Sequence, residues 1–163
     1  MESADLFIMA FLSLLPVSEL RGAIPYALAR GIDPLFAYFY CVFFNMLVGP
    51  LFYLFISTAH RLMLYFHWYK TLFAKLVIRT RERVRSKVEK YGYPGIMFFV
   101  AVPLPITGAY TGTMGAWVLG MSRRKTLPAV AAGVAIAGVV VSFVAFFGIE
   151  ALSFILKNSL INS

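Results

Sequence analysis

A single cysteine, Cys41, carries all the thiol chemistry of this chain. It cannot form an intrachain disulfide, and it cannot build a cysteine-rich metal site. Charge is also scarce. Only 13% of the 163 residues are Asp, Glu, Lys or Arg, whereas a soluble domain carries about 25%. So few charges cannot cover a water-facing surface. Basic residues are missing from the start as well: Met1-Glu2-Ser3-Ala4-Asp5 is acidic where a secretory signal is basic. The apolar run from Leu6 to Leu15 is also shorter than the roughly 20 residues a crossing helix needs. No signal peptide is therefore expected here.

What is present is apolar and aromatic. Hydrophobic residues make up 61% of the chain and aromatic residues 17%. That excludes disorder, which goes with few aromatics and high charge. The length suits one domain. The expected class is an all-α integral membrane protein, a single transmembrane domain over 1–163.

The net charge of +8 is concentrated. Nine of the 15 basic residues lie between Arg61 and Lys90, and three more are Arg123, Arg124 and Lys125. Basic residues flanking membrane segments stay on the cytoplasmic side, so both groups are placed there. Beside so much apolar sequence the basic stretch reads as a patch for anionic lipid and not for nucleic acid.

Two uncharged runs are expected to cross the membrane, Leu35–Ala59 and Leu127–Ile149. Asp33 can cap the first, Pro34 suits its first turn, and Gly49-Pro50 should kink it. The second carries small residues at four-residue spacing, Ala131/Ala135, Gly133/Ala137 and Gly138/Ser142, which allow close helix approach in lipid. Two further apolar runs are interrupted. Residues 6–30 contain Pro16, Gly22 and Pro25, and residues 94–120 contain Pro103, Pro105, Gly108 and Gly112. Proline removes a backbone donor and glycine loosens a helix, so both runs should break mid-way. Lys90 and Arg123 flank the second run and share one side, so it should be a re-entrant hairpin from the cytoplasm. By symmetry 6–30 is a re-entrant hairpin from outside, with a tilted full span as the alternative.

An offset of 89 residues lays one half on the other. Leu15-Pro16-Val17-Ser18 falls on Leu104-Pro105-Ile106-Thr107, Gly31 on Gly120, and Gly49 on Gly138. The expected architecture is two inverted repeats (1–59 and 93–157), each a hairpin plus a span, joined by a cytoplasmic amphipathic helix within 60–92. In that linker Tyr69, Leu72, Phe73, Leu76, Val77, Val84 and Val88 recur at helical spacing. Lys75, Arg79, Arg83 and Lys87 are expected to meet anionic lipid headgroups. Inverted repeats with discontinuous helices are the pattern of secondary transporters, with the site at the breaks.

Ionised groups at membrane depth are costly, so Glu19 and Arg21 need a reason to be in the first break. They could simply pair. In the functional reading Glu19 is a protonation site: desolvation favours its neutral form, and Arg21 favours the charged one. Moving Arg21 onto an anionic substrate would then couple proton uptake to binding. Ser18, Asn45, Thr107, Tyr110 and Thr111 complete the candidate substrate contacts. Arg30 should snorkel at the interface. His60 and His67 lack partners for a metal, and no cofactor is implied.

Pro16-Val-Ser-Glu-Leu-Arg-Gly-Ala-Ile-Pro25 and Pro103-Leu-Pro-Ile-Thr-Gly-Ala-Tyr-Thr-Gly112 resemble the putative small multidrug export protein family. That family is in turn similar to the DedA superfamily. The resemblance implies two opposed re-entrant hairpins, with the DedA acidic position on Glu19, and translocation of polyprenyl phosphate or another lipid. The arginines usual near the proline of the second DedA hairpin are missing from Val102–Thr113. The resulting expectation is a multi-pass transporter of the cell membrane, not an enzyme, exchanging an amphipathic lipid phosphate or hydrophobic drug for protons. A homodimer would shield its polar breaks. The alternatives are a membrane-embedded lipid-modifying enzyme and a structural assembly factor.

Overall fold

The computed structural model describes residues 2–63, 65, 91–104 and 107–161. Among them there are six helices and no strand. They are α1 (Ser3–Leu14), α2 (Glu19–Ala29), α3 (Pro34–Met63), α4 (residues 91–101), α5 (Ala109–Val118) and α6 (Arg123–Ile161). Two are long and apolar enough to cross a membrane, over Pro34–His60 and Arg123–Gly148. The linker segment 66–90, with Lys75, Arg79, Arg83 and Lys87, lies outside the described residues, as do Pro105 and Ile106.

The chain forms two compact units. One holds Met1–Asn45 with Ile136–Ser163, and the other Met46–Ala135. In the first, α1 and α2 fold back on each other. Asp5 near the start of α1 meets Tyr26 and Arg30 at the end of α2. The beginning of α3 runs antiparallel to the far part of α6. Tyr38 and Val42 flank Gly138, while Pro34 and Leu35 share a groove with Phe146 and Phe147. A Cβ at Gly138 would stand 2.5 Å from Val42 and 2.9 Å from Tyr38. Only glycine permits that approach.

In the second unit, Val100 of α4 is buried between two glycines. A Cβ on Gly112 of α5 would lie 2.4 Å from its side chain, and one on Gly133 of α6 would lie 2.7 Å from it. The small residues of α6 are thus used for close packing, the role small residues have where helices associate in lipid. Gly49 of α3 faces Leu127 and Val130 of α6.

Local structure recurs at the offset of 89. At the end of α2, Arg30 N–H donates to Tyr26, Gly31 N–H to Leu28 and Ile32 N–H to Ala27. At the end of α5, Leu119 N–H donates to Gly115, Gly120 N–H to Trp117 and Met121 N–H to Ala116. Both are glycine-terminated helix ends in which the chain closes back on the last turn. The next helices also start alike. Ala37 N–H donates to the Asp33 carbonyl at 2.9 Å, and Thr126 N–H to the Ser122 carbonyl at 2.9 Å. Asp33 adds a side-chain cap, its Oδ1 accepting from Phe36 N–H at 2.8 Å.

Three boundaries correct the sequence reading. The first break is only the turn at residues 15–18; Gly22 and Pro25 lie inside α2. Likewise Gly112 lies inside α5; Pro50, where a kink is expected, lies within helix α3. Proline deletes one helical hydrogen bond but keeps a helical φ, so a packed helix can run through it. The second span begins at Arg123, ahead of the expected Leu127, and includes Pro128. Its first turn is closed onto Ser122 by Lys125 N–H and Thr126 N–H.

Candidate functional site

The first break places a carboxylate at a strained corner. α1 ends where Leu15 N–H donates to Phe11 and Leu12, and Glu19 N–H reaches back to Leu15 at 3.0 Å. Glu19 opens α2 with φ +46°, the only non-glycine residue with positive φ among the described residues. A residue with a Cβ in that region costs about 1–3 kcal/mol. Its side chain is nonetheless packed inward, with the residue 8% exposed. Strain at a buried ionisable residue calls for a functional explanation.

The surroundings of Glu19 are tightly built. Ser18 precedes it, and its buried Oγ has no hydrogen-bond partner among the described residues. A Cβ on Gly22 would fall 2.1 Å from that oxygen, so Gly22 makes room for Ser18 inside an intact helix. Arg21 is half-buried. Asn45 is buried in α3, and its Nδ2 donates to the Ser13 carbonyl at 2.7 Å. Ser13 Oγ in turn donates to the Met9 carbonyl at 2.8 Å. The last turn of α1 leaves carbonyls without helical donors, and Asn45 supplies one. It points inward, as expected of a polar residue mid-span, but that donor is committed to the scaffold.

The second break is organised by its own threonine. Thr107 Oγ1 accepts from Leu104 N–H at 3.0 Å and is directed at the carbonyls of Val102 and Leu104. Thr111 Oγ1 donates to the Gly108 carbonyl at 3.3 Å. Both hydroxyls, read from the sequence as substrate contacts, are thus engaged by local backbone. Tyr110 packs edge-on against Phe52, with ring centroids 4.8 Å apart. Pro103 and Gly108 flank this break, and Pro16 lies in the first.

Sequence reasoning missed three features. Thr113 is fully buried beside Gly49, with a hydroxyl that has no hydrogen-bond partner among the described residues. Nothing in its spacing separates it from Thr111. Arg123 lies over the Tyr53 ring at 5.5 Å and Lys125 over the Tyr93 ring at 5.7 Å. The third is an ion pair: Arg30 Nε donates to Asp5 Oδ1 at 2.9 Å, and Tyr26 OH to the same oxygen at 3.1 Å. Arg30 does not merely snorkel. Its hydrogen bond holds the Asp5 carboxyl below its ordinary pKa, and Asp5 raises that of Arg30. A signal existed, because a hairpin over 6–30 necessarily brings residue 5 to residue 30.

A family profile described as putative small multi-drug export protein matches residues 19–140, more than half of the chain. The chain belongs to this family. The matched segment starts at Glu19 itself, directly after the first break, and includes the second. No curated protein and no solved structure matches the chain. Membership of a family described by export and two helices long and apolar enough to cross a membrane are consistent with a membrane transport protein. Among the described residues, no group of three or more His, Cys, Asp or Glu could hold a metal ion. His60 packs edge-on against Trp117, with centroids 5.0 Å apart; His67 lies outside the described residues.

Proposed function

We propose that the protein is a proton-coupled exporter of an amphipathic substrate, a lipid phosphate or a hydrophobic drug, with Glu19 as the proton-carrying group. The observation that carries this reading is the buried carboxylate held at φ +46° in the break between α1 and α2. Broken backbone within a membrane protein is tolerated where it is buried in protein or lines a wet cavity. Such breaks are where transporters bind substrate and coupling ions. Substrate drawing Arg21 away would favour proton uptake by Glu19, and release would reverse it.

In this reading the two helix pairs are re-entrant hairpins of inverted repeats, as in the DedA superfamily, in the cell membrane. The matching helix ends at Gly31 and Gly120 support duplication. So do the equivalent glycine contacts: Gly49 on Leu127 in one unit, Gly138 on Tyr38 in the other. The basic residues of the linker would hold the protein against anionic lipid, and a homodimer would cover its polar breaks.

The test is transport in proteoliposomes. A pH gradient should drive accumulation of a fluorescent lipophilic drug or a labelled polyprenyl phosphate, with proton movement in the opposite sense. Glu19→Gln should abolish the coupled flux while the protein stays folded. Flux that is indifferent to pH and to Glu19→Gln would remove the coupling. A variant that changes only abundance would point to an assembly factor.

A further inference from the structure

Beside the Asp5–Arg30 pair lies a recess of about 320 Å³, room for about ten water molecules. Glu2, Asp5, Arg30, Asp33 and Phe36 line it. Gly31 lies at its rim with φ +72°, and a Cβ there would meet nothing within 4 Å, so this side is open. The recess is at the start of α3, where the first candidate span begins.

The orientation of Arg30 is the informative feature. Its guanidinium is a planar fork with five donors. Only Nε is spent on Asp5, and Asp5 Oδ1 is fixed in turn by Tyr26. The Arg30 side chain is 51% exposed while that of Asp5 is 8% exposed. The pair is therefore anchored on its acidic side and open on its basic side. The edge formed by the two terminal nitrogens has no hydrogen bond to any described residue, and such an edge matches a carboxylate or phosphate.

The other charges have the opposite sign. Asp33 spends Oδ1 on the α3 cap, and Oδ2 has no hydrogen bond to any described residue. Glu2 adds a second carboxylate, and Phe36 contributes a 40% exposed ring, a surface that also attracts ammonium groups. With Asp5 neutralised by Arg30, a simple anion would meet two carboxylates. A simple cation would be drawn to those carboxylates but would leave the donor edge of Arg30 without an acceptor. A molecule carrying both charges satisfies each of them.

We propose that this recess binds a small zwitterion, its anionic group on the open edge of Arg30 and its ammonium group between Glu2 and Asp33. The site is separate from the Glu19 break and does not depend on the transport reading.

Three probes of one carbon length test it: γ-aminobutyrate, butyrate and butylammonium, titrated calorimetrically against the full chain in detergent. γ-Aminobutyrate should bind at least ten-fold more tightly than either singly charged probe. Arg30→Lys can still pair with Asp5 but has no second donor edge, and should weaken γ-aminobutyrate at least ten-fold. Asp33→Asn keeps a capping oxygen without the charge and should shift preference towards butyrate. Equal binding of the three probes, or none, overturns the proposal. So does wild-type behaviour in both variants. If Arg30→Lys does not fold, Asp33→Asn and the wild-type series still decide. Repeating the titration in nanodiscs with and without an aminophospholipid separates two sources. Competition identifies a lipid headgroup as the occupant, and its absence identifies a free solute.

Discussion

Gly31 and Gly120 hold the same left-handed backbone, φ +72° and +70°, at the ends of two helices 89 residues apart. Each is followed by a residue whose N–H reaches back five positions, Ile32 to Ala27 and Met121 to Ala116. An L-residue in this conformation costs about 1–2 kcal/mol. Gly31→Ala and Gly120→Ala should therefore destabilise by similar amounts. For a chain of this size each kcal/mol is about 2–4 °C in Tm. Thermal unfolding in detergent reads this directly, and a Gly31→Ala variant as stable as wild type would contradict the shared role.

This relationship also shows what the sequence makes legible. The offset of 89 is visible in a few identities, and the bonds it implies recur one for one. The two spans are legible because long uncharged runs leave few other options. The breaks are legible only in outline. Proline and glycine mark where a helix can fail, and packing decides whether it does. Pro25 and Pro50 stay inside helices because their lost bonds are single. Gly22 and Gly112 serve neighbouring side chains, Ser18 and Val100, in place of bending the chain. The roles of Thr107 and Asn45 were hidden because both satisfy backbone groups, and composition does not reveal which carbonyls are orphaned. The Asp5–Arg30 pair follows from the fold-back of α2 on α1, which the hairpin expected over 6–30 already contains.

Glycine substitutions in α6 and α3 should separate by contact distance. A Cβ at Gly133 would stand 2.6 Å from the Met97 carbonyl oxygen, a backbone atom that cannot rotate away. Gly133→Ala should cost about 1–3 kcal/mol as overpacking. At Gly49 the nearest atoms would be 3.5 Å and 3.6 Å away, ordinary contacts. Gly49→Ala should be neutral or stabilising, since alanine in a helix is favoured by about 0.5–1 kcal/mol. A pair of melting curves checks the order, and Gly133→Ala at or above Gly49→Ala would be the contrary result.

Acid should loosen the base of the first helix pair. The folded pKa of Asp5 is depressed, chiefly by the Arg30 hydrogen bond. Such a group contributes stability that is complete above its unfolded pKa, about 3.9. The contribution is lost as pH falls through the depressed folded value. Wild type should therefore lose stability as pH falls below about 4. Asp5→Asn should start less stable at neutral pH and show a shallower decline. Melting temperature against pH for the two proteins is the measurement; parallel curves would deny Asp5 this role.

The backbone at Glu19 predicts opposite effects on stability and function. Its φ of +46° is a conformation that glycine adopts without penalty. Replacing Glu19 by glycine removes that strain and also removes a buried carboxylate from the protein interior. The first favours the folded state by about 1–3 kcal/mol; the second also removes the packing and the interaction of that side chain and offsets part of the gain. Glu19→Gly should thus be at least as stable as wild type and inactive in coupled transport. Glu19→Gln retains the strain and loses the charge, so it should be inactive without the gain. Glu19→Asp keeps an acid on a shorter arm and should retain some pH-dependent flux. The three variants separate the two explanations for this corner. If the strain is held for chemistry, activity follows the carboxyl group and stability follows the backbone. If Glu19 only builds the turn, glycine should lower stability, and flux should fall in proportion to the folded protein that remains.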